Sequence, residues 1–232
     1  VARWEPNALE RLQEAAMELF QDHGYDRTTV GEIAARANLT ERTFFRYFTD
    51  KREVLFAGSE RFEKSILDPI ANAPKAKVPL DVVVEAFEAT TPFFEERRAH
   101  ARKRQALIAA HAELHERELI KLAKLASAIA AGLRERGIRK ETAGLVSETG
   151  VTVFRSAFER WAEDPKKHDL AHYIRAVLAE LRLVTGVGAS SSSAQAKATS
   201  LRGSANPNTP RAGRPKKARP QASRNLPERG RP

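Results

Sequence analysis

Cysteine is missing from all 232 residues. Its absence excludes disulfides, thiolate catalysis and cysteine metal sites, and leaves no sign of an oxidising compartment. Long apolar runs are missing too. None approaches the ~18 residues needed to span a bilayer, and the first residues carry no signal-peptide apolar stretch. With 41% hydrophobic residues and a mean hydropathy of −0.50, the expectation is a soluble chain kept in the cytoplasm and associated with the nucleoid. Period-two alternation is not sustained anywhere, so no sheet is expected. No Gly-rich phosphate loop, triad-like spacing or convincing carboxylate pair is present, so the chain reads as a non-enzyme without a cofactor. The histidines suggest no metal site. His111 and His115 are one helical turn apart, but Ala-Glu-Leu between them misplaces Glu113 for the zinc-hydrolase helix motif.

What is abundant is positive charge, and it is unevenly placed. The net charge is +10, but residues 187–232 hold ten Lys or Arg against Glu228 alone. The first 186 residues are therefore nearly neutral, and the pI of about 10.1 belongs to the tail. The run Arg97, Arg98, Arg102, Lys103, Arg104 reads first as the wet face of a helix and second as an attractor for an acidic ligand.

The stretch from Thr28 to Leu55 organises the rest. Thr29 and Glu32 have capping-box spacing, so a helix begins near Val30, with Val30, Ile33, Ala34 and Ala37 on one face. Asn38 tolerates left-handed backbone and marks a turn. Thr40 is the next N-cap, and Leu39 with Phe44 occupies the two positions of a hydrophobic staple. Asp50 and Glu53 repeat the capping-box spacing, so the helix from Thr40 is about two turns long before another begins. Phe44 and Phe48 face the core, while Arg42, Thr43, Arg46 and Tyr47 lie on the other side. Such a helix has the size and chemistry of a major-groove reader, because Arg bonds guanine bidentately and Thr and Tyr reach base edges or phosphates. Phe45 lies off the core stripe, either half-buried or packed on sugars and thymine methyls. The bland alternative is a helical corner of a bundle.

These residues, HGYDRTTVGEIAARANLTERTFFRYFTDKREVLF, resemble the N-terminal DNA-binding domain of the TetR family of transcriptional regulators. The resemblance covers the first 55 to 65 residues. It implies that Thr29 contacts phosphate, that Thr40, Arg42, Thr43, Arg46 and Tyr47 lie in or beside the groove, and that Lys51 holds backbone phosphate. Phe45 takes a slot usually held by tyrosine, and Arg42 replaces a residue that is often small. Both departures bear on which operator is read.

Before this unit, Asn7 and Glu10 have capping-box spacing, and Leu9, Leu12, Ala16, Leu19 and Phe20 form a support helix that stops at Gly24. After it, a fourth helix is expected from Lys51 through Phe62 and Ile66 towards Pro69, and NAPKAKVP (72–79) marks a boundary. Helices follow over Leu80–Glu96, kinked or ended by Pro92 near Thr91, then Arg97–Ala110, Leu114–Arg136, Lys140–Ala162 and Leu170–Val184. The last two carry the stripes Val146, Gly150, Val153, Phe154, Ala157, Phe158, Trp161 and Leu170, Ile174, Val177, Leu178, Leu181. These stripes read as a homodimer interface, or else as core within one subunit. By resemblance the middle helices enclose a pocket for an unknown small-molecule effector, with Phe87, Phe94, His111, Thr152 and Arg155 as candidate lining.

The tail departs from the resemblance. Its Ser-rich linker and six prolines after it are expected to be disordered. Gly213-Arg214-Pro215-Lys216-Lys217 and Arg229-Gly230-Arg231-Pro232 resemble the AT-hook core, which inserts arginines into an A·T minor groove. A nonspecific basic extension is the other reading.

The expectation is therefore an all-α chain with three parts. These are a helix-turn-helix DNA-binding domain at 1–50, a helical ligand-binding and dimerisation domain at 51–186, and a basic tail at 187–232. The function expected is a sequence-specific, ligand-responsive repressor acting on double-stranded DNA. The alternative is an architectural protein that binds A·T-rich DNA through the tail.

Overall fold

The structure is a computed structural model that describes residues 8–164 and 168–186. Asn7, the AT-hook-like residues Arg214, Lys216, Lys217, Arg229 and Arg231, and the expected disorder of the tail lie outside the described residues. The described chain is all-α.

The first three helices are α1 (Ala8–Asp22), α2 (Val30–Arg36) and α3 (Glu41–Tyr47). Helix α2 starts where its caps dictate: Glu32 N donates to Thr29 Oγ1 at 3.2 Å, and Thr29 N donates back to the Glu32 carboxylate at 2.7 Å. Asn38 turns the chain with a left-handed φ of 53°, a conformation its short polar side chain tolerates. Thr40 Oγ1 then accepts from Thr43 N at 3.2 Å and opens α3. Leu12, Phe20, Ile33, Phe44 and Phe48 close the core of this unit, and Leu39 packs against it.

The expected fourth helix is in fact two elements. Residues Lys51–Phe56 form a 3₁₀ turn, and α4 runs Ser59–Asn72 with Pro69 inside it. The break falls at Gly58, whose φ of 86° is open to glycine and strained for other residues. The second capping box is likewise not made. Asp50 does cap the turn by accepting from Arg52 N at 2.8 Å, but the Glu53 side chain turns away to Arg117 and Lys121.

Pro79 starts α5 (Pro79–Glu88), which ends before Pro92 opens the short α6 (Thr91–Glu96). Of the two outcomes open for Pro92, the ended helix is the one observed. Then come α7 (Arg98–Ala110), α8 (Ala112–Glu135), α9 (Lys140–Glu163) and α10 (Leu170–Val184). A second core lies among α4, α5, α8, α9 and α10, with Ile66, Ile70, Phe87, Ile129, Leu133, Trp161 and Ile174 fully buried. Each such side chain contributes about 1.5–3 kcal/mol of transfer free energy. At its centre Phe87 and Phe154 stack at 4.5 Å, flanked by Phe62 at 5.5 Å and Phe94 at 6.1 Å from Phe154. Helix α9 comes close to α5 at Gly150, where a Cβ would stand 2.5 Å from a methyl of Val83. Arg136 closes the end of α4, donating to the carbonyls of Ile70 and Ala73 at 2.7 Å each and of Pro74 at 3.1 Å.

The two apolar stripes read as a dimer seam turn inward. Gly150, Phe154, Ala157 and Trp161 of α9 and Leu170, Ile174 and Leu178 of α10 are buried within one chain, where they pack against each other and α5. Among the exposed residues of these helices are Leu145 and Thr152 on α9 and Ala179 and Leu183 on α10, with Thr149, Ser156 and Ala176 half-buried beside them. Charged residues such as Arg160 and Glu180, which pair at 2.7 Å, lie on the same helices. Among the described residues no helix is long and apolar enough to cross a membrane, and no group of three or more acidic or histidine side chains is placed to hold a metal.

Candidate nucleic-acid interface

Seven residues make α3, a rod of about 10 Å at 1.5 Å per residue, which is short enough to lie in a major groove. Phe44 anchors it with no exposed surface, and its ring meets Phe48 at 5.1 Å and Phe45 at 5.5 Å. With that face fixed, Arg42, Phe45 and Arg46 share the outer one at helical spacing, and all three are exposed. Arg42 has no hydrogen-bond or ion-pair partner among the described residues. Arg46 lies over the Tyr47 ring at 5.0 Å and reaches its hydroxyl at 3.4 Å. Phe45 is 53% exposed, a large hydrocarbon held out to solvent between two cations.

The hydroxyls are already engaged. Thr29 Oγ1 lies 2.9 Å from the Glu32 carboxylate, whose pKa is held below the ordinary range first by the backbone N–H and then by the side chain of Thr29. Thr40 and Thr43 pair through their hydroxyls at 3.1 Å. Lys51 donates to the carbonyls of Tyr25 at 2.7 Å and Thr28 at 3.0 Å, with its ammonium 4.1 Å from the Tyr25 ring centre. In this structure it therefore ties the loop after α1 to the turn after α3.

Tyr25 is buried beneath this tie, and its phenol is pushed up strongly, first by burial and then by a hydrogen bond and the charge of Glu113. His111 meets Tyr25 edge-on at 5.1 Å. A polar junction then joins the unit to α7 and α8. Glu53 pairs with Arg117 and, at 3.0 Å, with Lys121. Arg104 donates to the carbonyl of Leu55 at 2.8 Å, pairs with Glu118 at 3.2 Å and covers the Phe56 ring at 5.0 Å. Arg104 belongs to the run that reads first as a wet helix face, but it turns into this junction, and Arg98 of the same run donates to the Trp161 carbonyl at 3.2 Å. Glu53, Arg117 and Lys121 do not stand out as site residues in the sequence. The partners of Glu53 lie 64 and 68 residues away, beyond any local pattern.

The candidate effector-pocket residues are not brought together as one set. Phe87 and Phe94 belong to the aromatic interior. His111 lies instead beside Tyr25, with Nδ1 at 2.9 Å from the Leu107 carbonyl, because α7 ends at Ala110 and carries it to the unit of α1, α2 and α3. Thr152 is on the exposed face of α9 and Arg155 is half-buried.

Residues 12–57 match the bacterial regulatory proteins of the tetR family, and residues 77–185 match the MftR C-terminal domain. The chain belongs to the TetR family. It is a DNA-binding transcriptional regulator, not an enzyme. Its relatives include TcmR of Streptomyces glaucescens, 35% identical over 80 residues, which is 34% of this chain and 35% of that protein. The putative mycofactocin biosynthesis regulator MftR of Mycobacterium tuberculosis is 26% identical over 167 residues, 71% of this chain and 84% of that one. This TetR-family chain thus spans about a third of TcmR and most of MftR. Two solved structures share the fold. One is a TetR-family regulator from Syntrophomonas wolfei, with TM-score 0.57 and 18% identity over 78% of this chain and 96% of that chain. The other is SmeT in complex with triclosan, with TM-score 0.51 and 19% identity over 75% and 90%.

Proposed function

We propose that this TetR-family chain acts as a homodimeric repressor that holds a palindromic operator through α3 and is released by a small-molecule ligand. Its parts on this reading are a DNA-binding domain at 1–50, a ligand-binding and dimerisation domain at 51–186 and a basic tail at 187–232. The observation that carries the reading is the outer face of α3, where Arg42, Phe45 and Arg46 stand exposed on a helix fixed from behind by Phe44. Two guanidinium forks suit guanine edges or phosphates. Thr29, Thr40, Thr43, Tyr47 and Lys51 border that face and supply backbone contacts. A single two-turn reader binds weakly, whereas two-fold pairing engages half-sites about one DNA turn apart.

Dimerisation uses the outward surface of α9 and α10. Thr149, Thr152 and Ser156 on one helix and Ala176 and Ala179 on the other are small enough to let two copies approach closely. Regulators of this family bind small-molecule ligands. The aromatic interior at Phe62, Phe87, Phe94 and Phe154 is the apolar region best suited to an effector that opens it. Arg214, Lys216, Lys217, Arg229 and Arg231 add affinity with steep salt dependence.

The test is selection of bound duplexes from random DNA, with the full chain and with a chain ending at Thr185. Recovery of one palindrome by both supports the reading. Recovery of nothing by the shorter chain, with only A·T-rich sequence by the full one, replaces it with an architectural role.

A further inference from the structure

A slot of about 330 Å³ lies between α1 and α7, away from the aromatic interior. Met17, Phe20 and Gln21 of α1 face Lys103, Ala106 and Leu107 of α7 across it. Met17 and Phe20 are buried at its base, while Gln21, Lys103 and Ala106 are exposed at its edges. Its volume is at the small end of ligand pockets, about 300–1,000 Å³, and equals the liquid volume of roughly eleven waters at ~30 Å³ each.

The walls and the charge around them narrow the class of occupant. A thioether and a phenyl ring at the base favour a flat π-system over a saturated chain, through sulfur–aromatic and edge contacts. Ala106 leaves the opposite side low, so a ring can enter. The polar end of such a molecule meets one cation, the Lys103 ammonium. Lys103 makes no hydrogen bond or ion pair among the described residues, and His100 lies on the same face of α7 at helical spacing. The His100 imidazole is pushed down first by burial and then by Arg104, Arg97 and Lys103, against which only Glu14 of α1 acts. The surroundings are thus positive.

We propose that this slot binds a small aromatic carboxylate, its ring against Met17 and Phe20 and its carboxylate facing the Lys103 ammonium. The position gives such a ligand a consequence. Helix α1 belongs to the DNA-binding unit and α7 to the body, and Tyr25 meets His111 just beyond the same two helices. An occupant that touches both helices binds with a free energy that depends on their relative placement, and by linkage DNA then alters its affinity by the same factor. This last step rests on the regulator reading, whereas the binding itself does not.

The test is titration of the full chain, without DNA, with trans-cinnamate in a calorimeter. One ligand per chain is expected with Kd of about 1 mM or tighter. Cinnamyl alcohol, which keeps the ring and loses the charge, is expected to bind about fivefold more weakly, as is cinnamate to Lys103→Gln. Ala106→Trp places a ring over the slot from an exposed position, so its circular dichroism matches the wild type while cinnamate binding falls by at least about tenfold. The proposal is overturned if the wild type shows no saturable binding, if Ala106→Trp binds as the wild type does, or if the alcohol equals the carboxylate. Because no DNA is present, such a failure leaves the repressor reading intact. Failure to select a palindrome likewise leaves cinnamate binding intact.

Discussion

The carboxylate of Glu53, in the turn that follows the reading helix, accepts from Lys121 of α8 at 3.0 Å. Arg117, one turn earlier on α8, holds the other oxygen. Burial pushes the Glu53 carboxyl up, but these two cations outweigh it and leave the group below its ordinary range. Because its folded-state value is depressed, the junction stabilises the protein fully above the ordinary carboxylate range. That contribution is lost as pH falls through the folded-state value. Glu53→Gln is expected to cost about 1–3 kcal/mol at neutral pH, since it leaves two cations with a weaker acceptor. Urea unfolding followed between about pH 6 and pH 3 should show a flatter acid limb for the variant. An unchanged acid limb would assign the sensitivity to other carboxylates.

Phe45 offers DNA only hydrocarbon. Once a selected operator is in hand, replacing thymine by uracil at its half-site positions removes one methyl at a time. At the position that Phe45 covers, wild-type affinity should fall about fourfold, the factor for one buried methyl-sized group, and Phe45→Ala should show no such difference. Equal losses in both proteins would remove Phe45 from base readout.

Arg42 has no hydrogen-bond or ion-pair partner among the described residues, so reaching DNA breaks no bond to them. Arg42→Ala is expected to weaken operator binding by about 1–3 kcal/mol and to relax preference at one base pair. Uniform weakening across sequences, with a salt slope lower by about one, would instead make it a phosphate contact. Fluorescence anisotropy at several salt concentrations separates the two.

Thr29→Ala removes the hydroxyl half of the capping box at α2, leaving the backbone N–H that donates to Glu32, and should lower stability by about 1 kcal/mol. Thr29→Ser keeps the hydroxyl and should recover most of it. If the serine variant instead remains as unstable as the alanine one, the cap is not the source.

Gly150 is where α9 meets α5. Gly150→Ala drives a methyl into Val83, at an expected cost of about 1–3 kcal/mol. Val83→Ala should relieve part of that in the double variant, a coupling that thermal unfolding of the four proteins measures.

Legibility in the sequence followed the range of each interaction. The Thr29–Glu32 box, the Asn38 turn and the Thr40 cap act within four residues, and their spacing alone located α2 and α3. Asp50 and Glu53 carry the same spacing, yet only Asp50 caps, because Arg117 and Lys121 compete for Glu53 from far along the chain. Gly58 breaks the expected fourth helix, and nothing in the apolar period around it signals that a left-handed residue is used there. The stripes on α9 and α10 were legible as buried faces. Whether they meet a second copy or their own chain is a tertiary matter, and periodicity is silent on it. His111 shows the same limit: the end of α7, not any local motif, decides which unit it joins.

The packing around Trp161 has an optical consequence. Its indole is fully buried, donates from Nε1 to Glu95 at 2.7 Å, lies beside Phe158 at 5.2 Å and carries the Arg98 guanidinium 4.9 Å above it. Glu95 also accepts from Leu170 N at 3.1 Å, so one side chain links the indole to the start of α10. The chain therefore contains a native fluorophore in its interior, with an emission set by a dry, polarised environment. A rearrangement of α6 against α9 and α10 should appear as a shift in that emission without any attached dye.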